Sequence, residues 1–140
     1  MQEQIYKTKI KPLPGARWAE VSKKGFRLLN DIKSKTKRRP YLRSAYFDGQ
    51  KIFLDLFARH LFEKKDMRDK TRRMKYLPCA IDLIRHSRHD PETRDHSNDS
   101  SSVVHRFTEV TQNGEVFRVQ IKERKRTGEK WFMSVFPYEP

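Results

Sequence analysis

The feature that most constrains this chain is its last third, Ser102 to Tyr138, where three alternating apolar and polar runs are separated by turn residues. A period of two places successive side chains on opposite faces of a pleated strand. Asn113-Gly114 is a signature of the two-residue type I′ hairpin, because both central residues of that turn take positive φ. Such a turn sets Gln112 opposite Glu115, Val110 opposite Phe117, Thr108 opposite Val119 and Arg106 opposite Ile121. The other face then pairs Glu109 with Arg118, Phe107 with Gln120, and His105 with Lys122. At the second turn, a loop one residue longer, with Gly128 left-handed and a bulge, sets Ile121 opposite Met133 and Val119 opposite Val135. The expected core face is Val110, Phe117, Val119, Ile121, Trp131, Met133 and Val135. The opposite face carries His105, Phe107, Arg118, Gln120, Lys122, Phe132, Ser134 and Phe136. Cations, a hydroxyl, an imidazole and aromatic rings on one face suit a ligand that bears phosphates and bases.

Charge points the same way. Lys and Arg number 32 against 18 Asp and Glu, a net charge of +14 that favours a polyanionic partner. That excess does not choose between binding and catalysis. A chain of 140 residues suits a single core. Apolar residues make up 35% and charged residues 36%, which assigns part of the chain to tail. The single Cys79 allows no internal disulfide and suggests a reducing, cytoplasmic compartment. No apolar run is long enough for a membrane helix, and the N-terminus lacks the apolar stretch of a signal peptide, so no membrane partner is expected.

Residues 1–15 are punctuated by Pro12 and Pro14-Gly15 and read as an extended or disordered arm. Trp18, Val21, Gly25, Leu28, Leu29 and Ile32 recur at helical spacing, predicting a helix from Ala16 to Ser34 that a basic run and Pro40 terminate. Tyr41 to Phe47 reads as a strand with Asp48-Gly49 as its turn. A helix from near Gln50 follows, with Ile52, Phe53, Leu56, Phe57, Leu61 and Phe62 on a broad apolar face that His60 borders. The charged segment Lys64 to Lys75 reads as helical, and Pro78 fits the first turn of another helix ending near His86. His89 to Ser102 lacks a large apolar residue before its end and reads as a mobile loop. Helices followed by an antiparallel meander give an α+β architecture, with residues 1–40 as a basic arm and helix and 41–140 as the main domain.

Several of these residues carry a family likeness. Arg59-His60 on its helix, Lys75-Tyr76-Leu77-Pro78-Cys79-Ala80-Ile81, the polar loop, His105-Arg106-Phe107, Val119-Gln120-Ile121-Lys122-Glu123 and Met133-Ser134-Val135-Phe136-Pro137 resemble the phage-type branch of the barnase–EndoU–colicin–RelE-like nucleases. The likeness spans roughly Tyr41 to Tyr138. It implies a small α+β RNase, often a toxin of phage or toxin–antitoxin systems, whose open sheet face binds RNA. It further implies cleavage without a metal or other cofactor, by attack of the ribose 2′-OH on the adjacent phosphate to leave a 2′,3′-cyclic end. His60 then serves as base or acid, Lys122 and Arg118 stabilise the phosphate, and Ser134 hydrogen-bonds it. His105 is the candidate second proton carrier. Arg59, Arg106, Gln120, Phe107 and Phe132 complete the expected RNA surface, and an acidic antitoxin protein is a candidate partner.

Other chemistries fit less well. Cys79, His86, His89 and His96 do not form a zinc knuckle spacing, and no metal site is expected. Gly-rich phosphate loops and nucleophile elbows are absent from the sequence. The main rival is a non-catalytic RNA- or DNA-binding module that uses the same basic, aromatic sheet face.

Overall fold

The structure is a computed structural model that describes residues 6–138. In chain order the elements are α1 (Trp18–Ser34), β1 (Tyr41–Arg43), β2 (Lys51–Phe53), α2 (Asp55–Glu63), α3 (Met67–Lys75), α4 (Leu77–His86), β3 (Glu92–His96), β4 (Asp99–Val110), β5 (Val116–Arg124) and β6 (Lys130–Pro137). The architecture is α+β with a mixed six-stranded sheet in the order β1-β2-β6-β5-β4-β3. All neighbours pair antiparallel except β2 with β6.

Two boundaries differ from expectation, for a shared reason. Lys51–Phe53 is a strand rather than the start of a helix, because it bridges β1 and β6 and thereby buries Ile52. Glu92–His96 is a strand rather than a mobile loop, because its backbone pairs with β4 while its side chains stay largely exposed. Both strands are decided by distant partners, not by local pattern. The strand expected to run to Phe47 is only three residues long and enters a turn in which Asp48 and Gly49 both have positive φ.

The larger difference lies in the register of β4 and β5. The Thr111 N–H donates to Glu115 O at 2.8 Å, and the Gly114 N–H donates to Thr111 O at 3.0 Å. The loop is therefore Gln112-Asn113-Gly114, with Gly114 left-handed at φ 83° and Asn113 not. One extra loop residue shifts the pairing to Glu109↔Phe117, Phe107↔Val119 and His105↔Ile121. That slip turns His105, Phe107 and Glu109 into the core and brings Arg106 and Thr108 to the open face. In the next hairpin Arg124 pairs with Glu129, Gly128 is left-handed at φ 75°, and Val119 faces Val135 as expected. A bulge between Gln120 and Ile121 then sets Ile121 opposite Phe132, not Met133. Phe132 is consequently buried and stacks on Phe57 at 4.6 Å between centroids, while Trp131 lies opposite Lys122.

Helix α4 is buried along nearly its whole length and, with Tyr46 and Phe47, covers Phe107 and Ile121. Helices α2 and α3 pack on β6 beyond the short β2 pairing, and α1 packs on α3. Gly25 permits that last approach: a Cβ there would stand 2.3 Å from Met74 Sδ, and Met74 is fully buried. The N-terminal arm is extended rather than loose. The Thr8 N–H donates to Val110 O at 2.9 Å, the Val110 N–H donates to Tyr6 O at 3.1 Å, and the Tyr6 hydroxyl donates to Asp82 Oδ2 at 2.8 Å. Residues 1–5 of the expected arm lie outside the described residues.

Two stability predictions follow from the packing. Gly25→Val should cost about 1–3 kcal/mol in chemical denaturation. Combining it with Met74→Ala should give less than the sum of the single effects, whereas additivity would contradict the contact. The second prediction concerns Glu109, which is fully buried beside Ser87 Oγ (3.3 Å) and His89 Nδ1 (3.4 Å). Burial pushes its carboxyl up to about 7 from an ordinary 4.5, against the pull of His89, the Tyr6 backbone and Ser87. Because the folded value is raised, the stability of the neutral form is complete below about pH 4.5 and is lost as pH rises to about 7. Glu109→Gln should flatten that part of the stability–pH profile. An unchanged slope in the variant would assign the pH dependence elsewhere.

Candidate functional site

The open face of the sheet is built by alternation. Arg106 and Thr108 come from β4, Arg118, Gln120 and Lys122 from β5, and Trp131, Ser134 and Phe136 from β6. Cross-strand pairing aligns Arg106, Gln120 and Ser134 in one row across three strands. The Ser134 hydroxyl donates to Gln120 Oε1 at 2.8 Å, which orients the amide and leaves its N–H groups to donate to a ligand. Helix α2 stands on one side of this floor. Phe57 and Leu61 are its buried anchors, one turn apart, and they hold His60 at the margin, half-buried. The hairpin of β3 and β4 stands on the other side.

Two hollows lie along α2, the first reaching across to the β3–β4 hairpin and the second running back toward α3. One, of about 400 Å³, is lined by His60, Arg94, His96, Asn98, Arg106 and Gln120 among others. The other, of about 190 Å³, is lined by His60, Lys64, Arg73, Gln120, Ser134 and Phe136 among others. His60, Gln120 and Met133 border both, so they form the ridge between them. A third hollow, of about 280 Å³, contains Arg39, Arg59, Lys122, Arg124 and Trp131. Two of these hollows set a cation over an aromatic ring, Arg124 over Trp131 at 5.5 Å and Arg73 over Phe136 at 5.3 Å, and Arg118 stands over Tyr138 at 4.3 Å outside them.

Electrostatics make His60 a proton acceptor. Burial lowers its pKa, Glu63 opposes this, and the positive charge of Lys64 and Lys122 and the nearby His96 push it further down. The imidazole is therefore neutral at neutral pH. Lys122 Nζ lies 3.3 Å from Asp99 Oδ2. Hydrogen bonds from Ser101 and Ser102, with Lys122 beside them, hold the Asp99 carboxyl well below the usual range, so it stays charged. Lys122 is thus tethered at the edge of the floor.

The structure brings together His60, Arg106, Gln120 and Ser134, places Lys122 and Arg59 in the adjoining hollow, and puts Arg118 at the far end beside Tyr138. Three expected site residues are elsewhere. Phe107 and Phe132 are 3% and 0% exposed, so neither ring can stack on a base. His105 lies on the core face, its Nδ1 2.8 Å from Thr93 Oγ1 and its Nε2 2.8 Å from Glu123 Oε1. Both ring nitrogens are occupied on the side away from the groove, which removes His105 as the second proton carrier. The slipped register accounts for His105 and Phe107, and the bulge accounts for Phe132. His96, Lys64, Arg73, Arg124 and Trp131 are lining residues that the sequence pattern did not single out for this site. For His96 a signal was present in the polar turn Ser97-Asn98, which closes a hairpin. Among the described residues no group of three or more His, Cys, Asp and Glu is arranged to hold a metal ion, and Cys79 is buried in α4. Comparison with models of known protein families, with characterised proteins and with solved structures finds no match.

The titration of His60 checks this electrostatic account. By NMR its pKa should lie below 6.5, rise in Lys122→Met and fall further in Glu63→Gln. A value that ignores both substitutions would place the imidazole outside the field of the groove.

Proposed function

We propose that this protein is a small endoribonuclease that cleaves RNA without a metal, by transfer of the phosphodiester to the neighbouring 2′ oxygen. The observation that carries this reading is His60, a half-buried imidazole with a lowered pKa on the ridge between two hollows. Each hollow suits one nucleoside, so a bound strand would lay its phosphodiester over His60, Gln120 and Ser134. His60 accepts the 2′-OH proton as the 2′ oxygen attacks phosphorus. The P–O5′ bond breaks and the departing oxygen takes a proton from solvent water, leaving a 2′,3′-cyclic phosphate on one product and a 5′-OH on the other. Arg106, Lys122 and the Gln120 amide supply positive charge and N–H donors to the crowded phosphorane. Trp131 and Phe136, each held under a guanidinium, offer platforms for flanking bases. An acidic inhibitor protein, as toxin-like nucleases carry, would complement the +14 charge.

The paired cations and rings also favour a second reading, in which the same face binds single-stranded nucleic acid without cleaving it. Incubation with RNA in excess EDTA separates the two. The nuclease reading expects cleavage with cyclic phosphate ends, and a loss of about 10²–10⁴-fold in kcat for His60→Ala with binding retained. Intact RNA held tightly at low salt and released along a steep salt slope would favour the binding module.

A further inference from the structure

With His105 in the core, the groove needs another group to meet the charge that develops on the phosphate. His96 is placed for it. It ends β3 at a register shift where it pairs with Asp99 across the tight Ser97-Asn98 turn. It is half-buried, it lines the same 400 Å³ hollow as His60 from the opposite wall, and it is close enough to His60 to act on its charge. The strand pattern exposes its neighbours, but the hairpin folds this side chain against the groove.

The hydrogen bonding of the ring decides its chemistry. The Asn98 backbone N–H donates to His96 Nδ1 at 3.1 Å. A backbone donor in a two-residue turn cannot reverse its polarity, so Nδ1 keeps its lone pair and the ring proton of the neutral imidazole sits on Nε2. With its proton on Nε2, that nitrogen has no lone pair with which to act as a base. What it offers is a fixed N–H dipole. Its wall also contains carboxylates, but these are engaged: Glu92 by Arg94, Asp95 by Lys125 at 3.1 Å, and Asp99 by Lys122 at 3.3 Å. A phosphate entering the hollow is thus opposed by His60, His96, Arg106 and the Gln120 amide rather than repelled by free acids.

We propose that His96 is a catalytic hydrogen-bond donor that gives its Nε2–H to a non-bridging phosphate oxygen of the reacting phosphodiester while His60 takes the 2′ proton. This assignment rests on the nuclease reading of the groove. No atom changes hands at His96. The 2′ oxygen–phosphorus bond forms, the P–O5′ bond breaks with the departing 5′ oxygen taking a proton from solvent water, and the N–H···O bond strengthens as negative charge gathers on the phosphorane oxygens. A fixed donor of this kind contributes most in a groove that excludes water.

The test compares wild type, His96→Ala and His96→Gln on an oligoribonucleotide and on the same strand with a single 5′-bridging sulfur at the cleavage site. A sulfur leaving group departs without a proton, so it rescues the loss of a general acid but not the loss of a phosphate donor. His96→Ala should lose about 10²-fold in kcat with KM nearly unchanged, by the same factor on both substrates. His96→Gln should recover much of the loss, because its amide N–H stands near the place of Nε2–H. Two outcomes overturn the role of His96 alone: an Ala variant as fast as wild type, or one rescued by the sulfur substrate. RNA left intact by the wild type would overturn the nuclease reading and this role together. A ¹⁵N NMR spectrum of the wild type gives an activity-independent check, since an Nδ1–H tautomer at His96 would also overturn the assignment.

Discussion

The pairing of Thr111 with Glu115 governs the rest of this molecule. The Thr111 N–H donates to Glu115 O, the Glu115 N–H donates back to Thr111 Oγ1 at 3.1 Å, and the Tyr76 phenol donates to the Glu115 carboxylate. Those bonds anchor a three-residue loop, and the loop sets the register of β4 on β5. In a sheet with one covered face, a one-residue step exchanges the two faces of a strand. Here it decides that Phe107 packs under Tyr46 and Phe47, and that Arg106 joins Gln120 and Ser134 in the groove. The buried Tyr76 stacks on Phe117, so the turn is also fastened to the helices that cover the core face.

The groove follows from where α2 can sit. β2 pairs with β6 only at Ile52↔Lys130 and Phe53↔Trp131, and α2 starts two residues later. The rest of β6 is left to α2 and α3, whose Phe57 and Met74 are buried. That packing turns the margin of α2 toward the open sheet face, and His60 is the titratable residue on that margin. Burial first, and then neighbours that are mostly cations, keep the ring neutral, and those cations make the groove attractive to phosphate. One geometric arrangement thus sets a neutral imidazole beside a concentration of positive charge.

Much of this was legible in the sequence, and the remainder was not for identifiable reasons. Periodicity marked α1 and α2, Pro78 marked the start of α4, and alternation marked β4, β5 and β6. Gln120 and Lys122 could be placed on the open face because strand alternation within β5 survives an error in its partner, while His60 was singled out by the family likeness. The side of β4 could not, because Asn-Gly serves both a two-residue turn and, with one more residue, a turn with a left-handed Gly at its end. Glu92–His96 could not be read as a strand, since an edge strand that buries nothing has no apolar signature. His96 went with it, its one signal being the polar Ser97-Asn98 turn, and so did the partner wall of the groove.

The proposed function requires nucleic acid to lie across the open face between α2 and the β3–β4 hairpin. The most direct measurement is NMR mapping with an oligoribonucleotide made uncleavable by a single 2′-deoxy sugar. The account predicts perturbations at His60, His96, Arg106, Gln120 and Ser134, with Trp131 and Phe136 affected by stacking and His105 and Phe107 silent. Perturbations confined to the basic residues of α1 and the run Lys33 to Arg39, with His60 and Gln120 unmoved, would contradict it and place the binding surface on the opposite side of the helices.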